Sequence, residues 1–68
     1  MTKTELVDIT GQSLVDVLDG LAKEARLQGG RLIYWDDYDI IQDRHWLRYG
    51  FLPQSQALLP ERYRVYEG

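Results

Sequence analysis

The chain has no cysteine and only one histidine, His45. Without cysteine there is neither a disulfide nor a thiolate metal site, and one histidine does not complete a closed zinc site. A calcium loop is excluded too, because the stretch that begins at Asp37 has Gln42 where such a loop requires glycine. The sequence therefore predicts neither a cofactor nor a bound metal.

Long apolar runs are absent as well. No stretch approaches the roughly 20 apolar residues of a membrane span, and no basic segment followed by an apolar one indicates secretion. Together with the lack of cysteine, which fits a reducing cytoplasm, this predicts a soluble intracellular protein without membrane contact. The 68 residues predict one small domain, 1–68, whose modest core favours a second subunit as additional support.

Positive charge is scarce. Eight lysines and arginines against 11 acidic residues give a net charge of −3. Residues 1–43 have four basic and nine acidic side chains, a net of −5, whereas residues 44–68 have four basic and two acidic side chains, a net of +2. Because binding a phosphate backbone needs a basic face, the composition argues against direct nucleic-acid binding. An acidic patch fits a basic partner instead.

The clearest predicted element is an amphipathic helix in TGQSLVDVLDGLAKEARLQGG, residues 10–30. Thr10 or Ser13 is expected to cap its start, and the glycine pair at its end to stop it. Its apolar side chains cover more than one stripe, so we expect it to bury against a sheet of its own chain and against a second subunit. Gly20 then either marks a close helix–helix crossing or is merely tolerated. The predicted dimer interface consists of Leu14, Val17, Leu18, Gly20 and Leu21.

The remaining segments predict two strands. RLIYW, residues 31–35, is rich in β-branched and aromatic residues, and ERYRVY, residues 61–66, alternates and is expected to pair with it. Residues 1–9 fit either a short helix or an extended arm, and residues 49–60 a loop. Residues 38–49 fit a short helix capped by Asp36 or Asp37, with Ile40, Ile41 and Leu47 pointing inward, or an irregular, partly extended segment; we favour the helix.

The predicted fold is therefore of the α+β class. One long N-terminal helix packs on a small two-stranded antiparallel sheet, a short helical or irregular segment lies between the strands, and the protein forms a dimer. This architecture follows from the single strong helical pattern and the two short strand patterns.

The most unusual stretch is YWDDYDIIQDRHW, residues 34–46, which combines four aspartates with two tryptophans and two tyrosines. General acid–base catalysis requires a water-poor pocket, which so short a chain hardly builds, so the sequence predicts no enzyme. A degenerate helix-turn-helix in ELVDITGQSLVDVL is a second alternative, that of a small DNA-binding regulator. Its recognition helix would have no basic residue before Lys23, however, which argues against it.

A protein-binding surface explains the same stretch better. Tyrosine and tryptophan are typical interface anchors, and aspartates steer a basic partner toward them. The purely structural alternative is that Trp35 belongs to the core and that the two adjacent aspartates cap a helix and end the strand. The predicted partner-binding residues are Asp36, Asp37, Tyr38, Asp39, Asp43 and Trp46.

Nearly the whole chain resembles a known family. The opening TELVDITGQSLVDVLDGLAKEAR, the passage GRLIYWDDYDI and the tail PERYRVY are similar to the small early quorum-sensing anti-activator proteins of Pseudomonas phages. The resemblance implies a homodimeric host-takeover protein that acts in the host cell cytoplasm and binds the DNA-binding domain of a LuxR-type transcription activator. It also implies inhibition of the type IV pilus assembly ATPase.

Overall fold

The computed structural model describes residues 3–55 and 62–67. Their elements, in chain order, are β1 (Thr4–Asp8), α1 (Leu14–Leu27), β2 (Gly30–Asp39), β3 (Arg44–Pro53) and β4 (Arg64–Val65). The four strands form one antiparallel sheet in the order β1-β3-β2-β4. The prediction of one long helix on a two-stranded sheet is therefore wrong: the sheet is twice as wide and the helix has 14 residues.

Local signals at both ends define helix α1. Ser13 is its N-cap, and the Ser13 hydroxyl oxygen accepts a hydrogen bond from the Asp16 amide at 3.4 Å. Gly29 has a φ of 75°, the left-handed conformation that commonly follows a helix end. The predicted cap at Ser13 and the predicted stop are confirmed, although the helix is shorter than residues 10–30. No helix in the described part of the chain is long and apolar enough to cross a bilayer.

The N-terminal segment is a strand rather than a helix. Residues 4–8 pair with β3, with Val7 opposite Leu47, so the extended alternative for residues 1–9 is the correct one over this range. A turn follows, in which the Asp8 carboxylate accepts hydrogen bonds from the amide and the hydroxyl of Thr10, at 2.9 and 2.5 Å. Thr10 therefore closes this turn and does not cap α1.

Strands β2 and β3 form a long hairpin. Their pairing runs from Gly30 opposite Pro53 to Asp39 opposite Arg44, and residues 40–43 form the turn. The predicted helix over 38–49 is wrong, and so is the predicted loop from residue 49, because β3 continues to Pro53. Residues 56–60 of that predicted loop lie outside the described residues. Asp36 and Asp37 lie within β2, so they neither cap a helix nor end the strand.

The core lies between α1 and one face of the sheet. Its buried members are Ile9, Leu18, Ala22, Ala25, Leu32 and Leu47. The inward position predicted for Leu47 is confirmed. The predicted pairing of the C-terminal strand with residues 31–35 is also confirmed, since Ile33 lies opposite Val65. We call the opposite side of the sheet the helix-free face, because among the described residues no helix lies on it. Ile33 and Leu52 are fully buried there too, whereas other large side chains of that face remain accessible.

Candidate functional site

The far end of the β2–β3 hairpin combines exposed apolar side chains with aspartates. Ile40 is 84% exposed and Ile41 is 96% exposed, and Tyr38 beside them is 52% exposed. The prediction that both isoleucines point inward is wrong, because they lie in a turn and not on a helix. Two adjacent aliphatic side chains exposed at the end of a hairpin make this turn a candidate interaction surface. We call the residues Asp37, Tyr38, Asp39, Ile40, Ile41 and Asp43 the acidic tip.

Hydrogen bonds within the acidic tip fix its turn. The Asp39 carboxylate accepts from the amides of Ile41 and Gln42, at 3.0 and 3.2 Å, as aspartate commonly does in turns. The Tyr38 hydroxyl donates to the Asp43 carboxylate, and this bond raises the pKa of Tyr38 above its usual value. Two aspartates of the predicted binding set therefore also shape the turn. Because the turn is fixed, the isoleucines are presented without a large ordering cost.

Asp36 and Asp37 lie on opposite faces of the sheet, since adjacent side chains of a strand alternate. The Asp36 carboxylate is 2.8 Å from Nε2 of His45 on the helix side, and the His45 ring lies 5.8 Å from that of Tyr38. Asp36 thus stabilises the hairpin from that side. Asp37 is exposed on the helix-free face and has no hydrogen-bonding partner among the described residues, which leaves its carboxylate available to a binding partner.

A shallow groove continues the acidic tip along the helix-free face. It has a volume of about 240 Å³, and Asp37 belongs both to it and to the tip. Trp35 is half-buried on this face, so the alternative that Trp35 is a core residue is wrong. Trp46, from the predicted binding set, lies opposite Asp37 in the hairpin. We call the residues that line this space, Leu6, Trp35, Asp37, Trp46 and Arg48, the tryptophan groove.

Side-chain hydrogen bonds attach the end of β1 to the first residues of β3, next to the acidic tip. Asp8 accepts from Arg44 at 3.2 Å, and the Thr10 hydroxyl oxygen accepts from the His45 amide at 2.9 Å. The Thr10 hydroxyl that donates to Asp8 is the main cause that lowers the pKa of that carboxyl, followed by the Thr10 amide; the nearby Arg44 adds to the effect. The ionised form of Asp8 therefore supports the attachment of β1.

The lowered pKa of Asp8 predicts a specific pH dependence of stability. A carboxyl whose pKa is lower in the folded state stabilises the fold above its unfolded pKa, and this contribution is lost as the pH falls through the folded pKa. The ordinary value is 3.8, so the loss begins near there and is completed at lower pH. We expect Asp8→Asn to melt below the wild type at about pH 7 and the gap to narrow toward about pH 2.

Thermal unfolding of both proteins across this pH range checks that expectation. Asp37→Asn is the matched control, because it removes the same charge from an aspartate without a hydrogen bond in the described residues. The control should melt close to the wild type at both ends of the range. An Asp8→Asn gap that keeps its size on acidification would show that the carboxylate charge does not support β1.

The structure places the predicted dimer residues in different environments. Leu18 is only 2% exposed and belongs to the core of its own chain. Leu14, Val17 and Leu21 are partly buried against that core, and a Cβ atom added at Gly20 would meet nothing within 4 Å. The helix surface left for a second copy is therefore smaller than predicted, and homodimer formation stays a prediction.

Two other kinds of site can be compared with the structure: a metal site, which the sequence did not predict, and the helix-turn-helix motif. Within residues 3–55 and 62–67, no three histidine, cysteine or acidic side chains are grouped so that they hold a metal ion. The helix-turn-helix alternative required a helix before Gly11, but residues 4–8 there form β1, so that motif is not formed.

The sequence indicated a binding surface in residues 34–46, where Asp37 and Asp43 are exposed, and did not indicate the two exposed isoleucines of the acidic tip. It also did not indicate Leu6, which is 50% exposed and brings β1 into the tryptophan groove. The aromatic residues Trp46, Tyr49 and Phe51 were the available signal, since aromatic residues are enriched in strands and a strand here requires a turn before it. The chain matches no protein-family model, no curated protein and no solved structure.

Proposed function

We propose that this protein is a non-enzymatic inhibitor that binds a host transcription activator of the LuxR type through the acidic tip and thereby blocks its DNA-binding domain. One observation carries the proposal: Ile40 and Ile41 are 84% and 96% exposed on a turn that aspartates surround. Such apolar area is removed from water only when a partner covers it, and burying it contributes about 25 cal/mol per Å².

The acidic tip determines the chemistry of the partner. The two isoleucines require an apolar pocket, and the carboxylates of Asp37, Asp39 and Asp43 require basic residues at its rim. A DNA-binding domain has such basic residues, because it contacts phosphates through lysine and arginine. A protein that occupies this surface excludes DNA from it. The resemblance to the quorum-sensing anti-activators supports the LuxR-type activator as the partner.

Charge alone does not provide the affinity. The net charge of −3 is small for a mimic of DNA, and each exposed charge pair contributes about 0.2–1 kcal/mol. The aspartates therefore mainly accelerate and orient the encounter, whereas the isoleucines and Trp46 supply buried area. The proposed place of action is the host cell cytoplasm, and the type IV pilus assembly ATPase remains a second proposed partner.

A gel-shift assay with purified activator and its operator DNA tests this function. The protein alone should shift no DNA, and increasing amounts of it should release the activator from its operator. Bovine serum albumin at equal concentration is the control for nonspecific release. A shift of DNA by the protein alone would favour the direct DNA-binding alternative, and an activator–DNA complex that survives an excess of the protein would refute the proposal.

A further inference from the structure

Two arginines lie over the ring of Trp35, within the distance of a cation–π contact. The guanidinium groups of Arg48 and Arg62 each lie 5.6 Å from the centre of the Trp35 ring. Arg48 belongs to β3 and Arg62 precedes β4, so they approach from the two strands that flank β2. Neither these two nor Arg64 forms an ion pair within the residues that the structure describes. Three arginines without carboxylate partners are unexpected in a chain with a surplus of acidic residues.

The same arginines lie beside a cleft where β4 leaves β2. In the described residues, the paired positions of the two strands are Ile33 with Val65 and Tyr34 with Arg64. Arg62, with a φ of 73°, has a left-handed backbone conformation that does not continue a strand. The cleft has a volume of about 490 Å³. It is lined by Tyr34, Trp35, Asp36, Arg62, Tyr63 and Arg64.

The lining of this cleft indicates the class of its ligand. Guanidinium groups complement oxyanions, and phosphate in particular. The cation–π contact with Trp35 positions Arg62 before a ligand arrives, so less side-chain freedom is lost on binding. A phosphate by itself, however, needs neither aromatic side chains nor so large a space. The volume falls in the range of small-molecule sites, roughly 300–1,000 Å³, and the aromatic side chains suit a planar ring.

We propose that the cleft between β2 and β4 binds a nucleotide. Arg62 and Arg64 hold the phosphate, and Trp35, on the helix-free face, contacts the base. Asp36 also belongs to the lining, but it lies on the helix side of β2, where its Oδ2 faces Nε2 of His45 at 2.8 Å. The proposed inhibition through the acidic tip does not depend on this site, although Trp35 lines both the cleft and the tryptophan groove.

Calorimetric titration with mononucleotides tests the proposal. Adenosine and guanosine monophosphate are compared with the two nucleosides and with inorganic phosphate. At least one monophosphate should bind. Its nucleoside and inorganic phosphate alone should each have a Kd at least about tenfold higher. Absence of binding by both monophosphates at millimolar concentration would overturn the proposal. Phosphate that binds as tightly as the monophosphates would do the same, since the aromatic rings would then have no role.

Variants locate the site. Arg62→Lys keeps the charge but removes the planar group, and Arg64→Ala removes a charge; each should weaken monophosphate binding about tenfold. Lys23→Ala, on the exposed side of α1, is the matched control and should bind as the wild type does. If Arg62→Lys lowers the melting temperature, its loss of binding cannot be assigned to the site, and Arg64→Ala then provides the test. Binding that survives both arginine variants, or that Lys23→Ala weakens equally, would place the ligand elsewhere and overturn the proposal.

Discussion

Replacing Leu18 with aspartate is expected to unfold the protein. Leu18 is 2% exposed in the core that α1 shares with Leu32 and Leu47. An aspartate at this position has no charged partner among the core residues, and an unpaired buried charge costs several kcal/mol. The total stability of a small domain is of the order of 5 kcal/mol, so this one change removes most of it. Circular dichroism should show loss of helix and of cooperative melting.

Val15→Asp is the matched control for this variant. Val15 lies on the same helix, is 57% exposed, and undergoes the same change from an aliphatic to a charged side chain. It should melt within a few degrees of the wild type, because surface substitutions usually change stability by about 0.5 kcal/mol or less. A Leu18→Asp protein that stays folded and only loses a subunit would place Leu18 at a dimer interface instead of in the core.

The helix was predictable because its signals are local. Ser13 caps the first turn, and Gly29 takes the left-handed conformation after the last one; both signals lie within a few residues of the element they delimit. The error was in length: the stretch from Thr10 to Gln12 belongs to the turn after β1. The Thr10 hydroxyl donates a hydrogen bond to the Asp8 carboxylate instead of capping the helix, so Thr10 belongs to the turn.

The sheet was predicted at half its width because its pairing is not local. Residues 4–8 form a strand through contact with β3, some forty residues later in the chain, and nothing within those five residues marks them as paired. The hairpin turn also lacks the usual glycine or asparagine. Asp43 takes the left-handed conformation there, with a φ of 55°. Without a turn signal, Ile40, Ile41 and Leu47 happened to fit helical spacing.

The residue range of the candidate site was predictable from the sequence, but the face of the sheet on which each of its side chains lies was not. Its composition singled out residues 34–46, yet the side of the sheet on which each side chain lies depends on the strand register. Asp36 bonds His45 on the helix side, whereas its neighbour Asp37 reaches the helix-free face. Neighbouring residues of a strand point to opposite faces of the sheet. A helix predicted for the same residues therefore places the aspartates on the wrong faces.

Replacing both Ile40 and Ile41 with serine is expected to remove most of the affinity for the partner while the fold stays intact. Both side chains are exposed by more than four fifths in the free protein, so they contribute little to folding. Burying an isoleucine in a complex contributes about 1.5–3 kcal/mol, and the two together correspond to a loss of about a hundredfold or more in affinity. The hydrogen bonds of Asp39 and Asp43 that fix the turn involve backbone amides and the Tyr38 hydroxyl, so they persist in the double variant.

Calorimetric titration of the purified DNA-binding domain of the LuxR-type activator with three proteins tests the role of the acidic tip most directly. These are the wild type, the Ile40→Ser, Ile41→Ser double variant, and Leu27→Ser as the matched control, since Leu27 is 88% exposed at the end of α1. We expect equal Kd values for the wild type and Leu27→Ser, and a Kd about a hundredfold higher for the double variant at an unchanged melting temperature. A folded double variant that binds as tightly as the wild type would contradict the assignment of the acidic tip as the binding surface.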